Sequence, residues 1–206
     1  MKNLVITIER EFGSGGKYIG ERLSEDLNLK FYDEQLLERV SKESNIDISL
    51  LEEADEKQKG SFWYTLAMAS LATDGLNSLS SLPNNERCFI EQSRVIEKIA
   101  ETESCVIIGR CSNIILKDRP NVIRVFIYAS NMNFKINRKM KYAGLGDKYA
   151  AKLIQKTDKE RAAYFNYFTN EKWGRRENYD LMIDTSKIGV DNAVELIKSY
   201  IKIKNG

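Results

Sequence analysis

Apolar residues in this chain fall into short unbroken blocks separated by stretches of helical period. Residues 4–8 (L-V-I-T-I), 105–108 (C-V-I-I) and 122–128 (V-I-R-V-F-I-Y) are too short for helices and rich in β-branched side chains, and they predict buried strands. Residues 30–32 (K-F-Y) and 181–184 (L-M-I-D) predict two shorter ones. Between the blocks the period changes. Ile19, Leu23 and Leu27 mark one face of a first helix, and Leu36, Leu37 and Val40 mark a second. Ile48, Leu50 and Leu51 predict a brief helix inside the acidic segment 47–60. Residues 90–100 return to helical period, residues 145–168 read as a charged helical arm, and Val194, Ile197 and Ile201 line a closing helix over 190–203. Residues 61–82, aromatic at first and serine-rich later, predict either a helix or a mobile segment beside a substrate cleft. Strands alternating with helices define an α/β fold with a parallel sheet of about five strands covered on both faces.

Composition narrows the chemistry. The 206 residues suffice for one sizeable α/β domain, and the net charge of +2 argues against a dedicated nucleic-acid-binding protein. There is no histidine, which removes every histidine-based triad, general base and metal site. Cys88, Cys105 and Cys111 form no Cys-x-x-Cys pair, so neither a zinc ribbon nor a disulfide framework is expected. The N-terminus does not resemble a signal peptide, and no apolar run approaches the roughly 20 residues of a membrane span. The expected setting is cytoplasmic, with no membrane partner.

The most telling segment follows the first apolar block: Glu9-Arg10-Glu11-Phe12-Gly13-Ser14-Gly15-Gly16-Lys17. A strand, a glycine turn and a helix place backbone N–H groups and a helix N-terminus around an anion, so nucleotide phosphate is the expected ligand. The alternative is a simple helix-opening turn in which glycine supplies an unusual φ. The pattern G-x-x-x-x-G-K-[ST] is not matched: with Lys17 in the lysine slot, Glu11 stands for the first glycine and Tyr18 for the hydroxyl residue.

That segment, together with F-Y-D at 31–33, V-I-I-G-R-C at 106–111, K-T-D-K-E-R at 156–161 and N-Y-D-L-M-I-D-T-S at 178–186, resembles the cytidylate kinase-like family. The resemblance implies a three-layer P-loop NTPase-like core (about 1–33, 104–130 and 180–206), a helical monophosphate-binding insert (about 34–103) and a helical lid (about 138–176). It implies a phosphotransferase using ATP and Mg²⁺ on a CMP-like nucleoside monophosphate or a similar small phosphorylated substrate. A catalytically degenerate nucleotide- or phosphate-binding protein of the same fold is the alternative. Aligned without gaps on the first helix and on Asp33, the kinase lysine falls on Gly16, the following glycine on Lys17, the threonine on Tyr18 and the first loop glycine on Arg10. Neighbouring helix residues point about 100° apart, so Lys17 cannot simply replace a lysine one position earlier. Arg10 is the alternative phosphate cation, and Ser14 is the nearest hydroxyl for the metal.

By this resemblance Gly13, Ser14, Gly15, Gly16 and Lys17 bind nucleotide phosphate, while Asp33, Arg94 and Arg110 meet the acceptor. Arg138, Asp158 and Arg161 are lid residues, and Arg10, Lys17, Arg110, Arg138 and Arg161 carry the catalytic charge. No protein metal ligands are assigned. Each position has a plainer reading. Asp33 suits a helix N-cap, Arg110 a surface position after a strand, and the lid charges a solvated helix face with i,i+3 and i,i+4 pairs. The cluster Tyr164, Phe165, Tyr167, Phe168 and Trp173 predicts helix packing or, alternatively, stacking on a base.

Overall fold

The structure, a computed structural model, describes residues 3–54, 83–143 and 147–205. Strand β1 (Val5–Arg10) leads through the glycine turn into α1 (Gly16–Asp26), then β2 (Lys30–Tyr32), α2 (Gln35–Ser44) and α3 (Ile48–Ala54). Helix α4 (Asn84–Thr102) feeds β3 (Cys105–Ile108), followed by the single turn α5 (Ser112–Ile115) and β4 (Val122–Tyr128). Helices α6 (Met132–Ala143) and α7 (Asp147–Thr169) pack together, and β5 (Leu181–Asp184), the short α8 (Thr185–Ile188) and α9 (Val190–Asn205) close the fold. The segment 61–82, read from sequence as a helix or a mobile stretch, lies outside the described residues.

The five strands are parallel in the order β2-β3-β1-β4-β5. A strand with both faces covered needs apolar side chains on both, which is why these segments read as unbroken apolar runs. Ile6, Ile8, Val106, Ile108, Ile123, Val125 and Ile127 pack against Ile19 and Leu23 of α1 and Ala193, Val194 and Ile197 of α9. Val5, Cys105, Ile107 and Val122 face the opposite way, onto Leu36, Leu37 and Val40 of α2 and Val95, Ile96 and Ile99 of α4. Two helical layers thus sandwich one sheet.

Several boundaries differ from the sequence reading, for physical reasons. β1 runs on past Ile8 because Glu9 and Arg10 still have partners, Phe126 and Ile127, on the longer β4. α1 begins at Gly16 rather than Ile19, since its first turn is the glycine loop itself. α4 begins at Asn84, with Pro83 in the N-cap position, six residues before the apolar period becomes visible. Single-turn helices such as α5 and α8 are too short to show a period at all.

The aromatic cluster is packing. Tyr164 and Phe165 are buried, Phe89 stacks on Phe168 at 4.2 Å between ring centroids, and Trp173 meets Phe126 edge-on at 5.2 Å. These contacts seat α7 against α4 and the sheet. Gln92, buried on α4, donates to the Tyr164 hydroxyl at 3.2 Å. No described helix is long and apolar enough to cross a membrane.

Candidate functional site

All five strands point their C-terminal ends the same way, and ligands of open parallel sheets gather beyond those ends. A cavity of about 470 Å³ opens there. Its floor is the turn after β1. Gly15 takes a φ of +96°, and a Cβ there would meet the Val190 side chain at 2.6 Å, so only glycine lets the loop lie against the start of α9. Gly16 is as tightly placed, since a Cβ would stand 2.5 Å from that of Arg10. The far side of the loop is held by Thr185, whose buried hydroxyl donates to the Ser14 carbonyl at 2.7 Å.

Four arginines approach this floor, each from a different element. Arg10 ends β1 and is buried. Arg110 follows β3, where Arg110 and Cys111 take left-handed backbone (φ 56° and 57°) and turn the chain sharply off the strand. The Arg110 guanidinium reaches the residue just after β2, donating to the Asp33 carbonyl at 2.7 Å with the Asp33 carboxylate 3.7 Å away. Arg138 comes from α6 and Arg161 from α7. Arg161 donates to the Arg10 carbonyl at 3.0 Å and lies over the Phe12 ring. Lys17, on the first turn of α1, extends to the rim, where its ammonium sits 2.9 Å from Asp33 and 3.4 Å from Glu34. The hydrogen bond to Asp33 is the main reason its pKa lies above the ordinary lysine value.

Of the residues singled out by sequence, Arg10, Gly13, Gly15, Gly16, Lys17, Asp33, Arg110, Arg138 and Arg161 line this one cavity. Three do not. Arg94 is exposed on α4 and paired with Glu91 at 2.6 Å. Ser14 is buried, with its hydroxyl turned inward to the Glu11 carbonyl at 2.8 Å. Asp158 lies behind the loop, accepting from the Phe12 N–H at 2.6 Å. Burial pushes the Asp158 carboxyl above its usual range, against the pull of that N–H and of the Lys135 ammonium. Asp33 is no helix cap: Glu34 holds the N-cap position of α2 and makes no side-chain cap hydrogen bond. Glu11, Glu21 and Glu34 also line the cavity, and with Asp33 they set four acids against five cations. Glu11 and the buried Lys135 were not foreseen as site residues, because nothing in the local pattern separates them from ordinary surface charges.

The donor set does not suit a Mg²⁺ held by protein ligands. The Tyr18 hydroxyl is bonded to Asp191, Ser14 is turned away, and Asp33 is shared by Lys17 and Arg110. No group of three or more histidine, cysteine, aspartate or glutamate residues able to hold a metal ion exists among the described residues. The loop and its arginines do suit a phosphate chain, because charge-assisted hydrogen bonds from guanidinium and backbone N–H groups are the strong ones.

A parallel sheet in this order, with a glycine turn between β1 and α1 and arginines converging above it, is the architecture of P-loop kinases. The chain belongs to the cytidylate kinase-like family, whose model matches residues 5–187. Among solved structures, an uncharacterized protein from Eubacterium ventriosum is similar at a TM-score of 0.72 and 31% identity, over 97% of this chain and 99% of that one. Shikimate kinase from Bacteroides thetaiotaomicron shares the fold at a TM-score of 0.54 and 12% identity, over 97% and 98% of the two chains. Shikimate kinase from Acinetobacter baumannii, in complex with shikimate, does so at 0.50 and 13%, over 97% and 93%. No curated protein matches the chain.

Proposed function

We propose that this protein is a phosphotransferase that moves the γ-phosphoryl group of ATP to a nucleoside monophosphate such as CMP, or to a similar small phosphate acceptor. The observation that carries this reading is the shared cavity, in which the glycine turn faces arginines from β3, α6 and α7. Backbone N–H groups of Gly13, Gly15 and Gly16 would cradle the β-phosphate, while that of Ser14 is bonded to the Glu11 carbonyl at 3.3 Å. Arg10 and Lys17 would supply positive charge beside it, and Asp33 and Arg110 would orient the acceptor. Arg138 and Arg161 would neutralise the charge that builds between acceptor and γ-phosphate, with α6 and α7 serving as the lid and residues 34–103 as the acceptor-binding insert. An acceptor phosphate oxygen attacks the γ-phosphorus, the bond to the β,γ-bridging oxygen breaks, and ADP leaves. A phosphate acceptor is already anionic, so positioning and electrostatics supply the rate and no general base is needed.

A second reading is favoured by one detail of the loop. Gly16 stands in the lysine slot and the Ser14 hydroxyl is committed to the Glu11 carbonyl, which suits a protein that holds a nucleotide without turnover. A coupled ADP-release assay over CMP, UMP, AMP and dCMP separates the two. Turnover with CMP that disappears in Arg110→Ala supports the enzyme; ATP binding with no turnover on any acceptor supports the binding protein and ends the first reading.

A further inference from the structure

Behind the cavity floor lies an ion cluster of Lys135, Glu11 and Asp158, of which only Glu11 lines the cavity. Lys135, on α6, is 6% exposed and does not line the cavity, so it is no substitute for the absent loop lysine. Its ammonium sits 2.6 Å from Glu11 Oε2 and 3.3 Å from Asp158 Oδ2. Each carboxylate is also committed to the backbone. Glu11 Oε2 accepts from the Ala129 N–H at 3.0 Å, and Asp158 Oδ1 accepts from the Phe12 N–H at 2.6 Å. The loop packs directly on the stem of Lys135, for a Cβ at Gly13 would stand 3.0 Å from the Lys135 Cβ and 3.1 Å from its carbonyl oxygen. One buried cation therefore joins three elements: the loop, α6 and α7.

Its spacing along the helices gives the cluster a purpose. Arg138 is three residues after Lys135 and Arg161 three residues after Asp158. Residues three apart on a helix share a face, so each clamp residue lies about one turn from a cavity arginine. Fixing Lys135 and Asp158 fixes the rotation of both helices, and with it where the two guanidinium groups reach.

We propose that Lys135 is a positioning residue which, by clamping Glu11 to Asp158, holds Arg138 and Arg161 over the phosphate loop. What the arginines bind rests on the proposed function; the clamp itself does not. Hydrogen exchange reads the clamp and ATP titration reads its effect. In Lys135→Met the Phe12 amide and the amides of α7 are expected to exchange about tenfold faster or more, while those of α9 stay as in the wild type. ATP affinity is expected to fall about tenfold in Lys135→Met, and no further in Lys135→Met/Arg138→Ala than in the weaker of the two single variants. A purely structural lysine would not give that non-additivity. Unchanged exchange at Phe12, or losses that multiply in the double variant, overturn the proposal. If the wild type binds no ATP, the proposed function falls and exchange alone decides the clamp. If Lys135→Met does not fold, Asp158→Asn carries the same measurements, because it keeps an oxygen for the Phe12 N–H and removes only the charge facing Lys135.

Discussion

Gly16 and Arg10 occupy one space between them: a Cβ on Gly16 would stand 2.5 Å from the Arg10 Cβ and 3.0 Å from its Cγ. In the gapless alignment with the kinase pattern these are the positions of the loop lysine and the first loop glycine. On that proposed alignment large and small residues exchange places across the turn, which would account for the displaced lysine.

Restoring the lysine alone should therefore fail. Gly16→Lys is expected to overpack the turn and lower stability by about 1–3 kcal/mol. Arg10→Gly/Gly16→Lys should recover most of that loss, because the arginine stem no longer fills the space. Thermal melting of the three variants checks this, and a Gly16→Lys protein as stable as the wild type would show that the two side chains do not compete.

The same exchange ranks the two cations nearest the loop. Arg10 is buried against the turn, whereas the Lys17 side chain is 53% exposed and already engaged by Asp33. Arg10→Ala is expected to weaken ATP binding about tenfold, and Lys17→Ala by about threefold or less. Calorimetric titration measures both, and the reverse order would overturn the alignment.

Acid stability has a separate source at the sheet edge. Burial pushes the Glu103 carboxyl up, but hydrogen bonds from Tyr32, Arg39 and Lys30 outweigh it and hold the group at about 2 instead of the usual 4.5. A depressed carboxyl stabilises the fold above its unfolded value, and the contribution is lost as pH falls from about 4.5 toward about 2. Glu103→Gln should therefore lower stability by roughly 2 kcal/mol near neutrality, with the deficit shrinking across that acid window. Urea midpoints measured at a series of pH values test this; a deficit of the same size throughout would locate the stabilisation elsewhere.

The sheet could be read from the sequence because a doubly covered strand needs apolar residues without interruption, as in residues 105–108. The glycine turn could be read because the close approaches at Gly15 and Gly16 demand glycine. Arg94 and Arg161 looked alike, each an arginine on a charged helix, and only the folded chain separates the exposed partner of Glu91 from the one bonded to the Arg10 carbonyl. Lys135 carried no local signal. It sits in a run of basic residues, and its burial depends on carboxylates at positions 11 and 158. Helix period reports which face is apolar, not which charge on that helix will find a buried partner.

The hydroxyl of Thr185, bonded to the carbonyl of Ser14, spans 171 positions of sequence. The turn proposed to hold a phosphate chain follows β1 directly, yet its far support arrives only after β5 has been made. A nascent chain stopped before residue 185 would have most of the sheet and an unfinished anion site. Nucleotide binding, measured on chains released at successive lengths, should therefore appear late and abruptly, well after the first strands have paired.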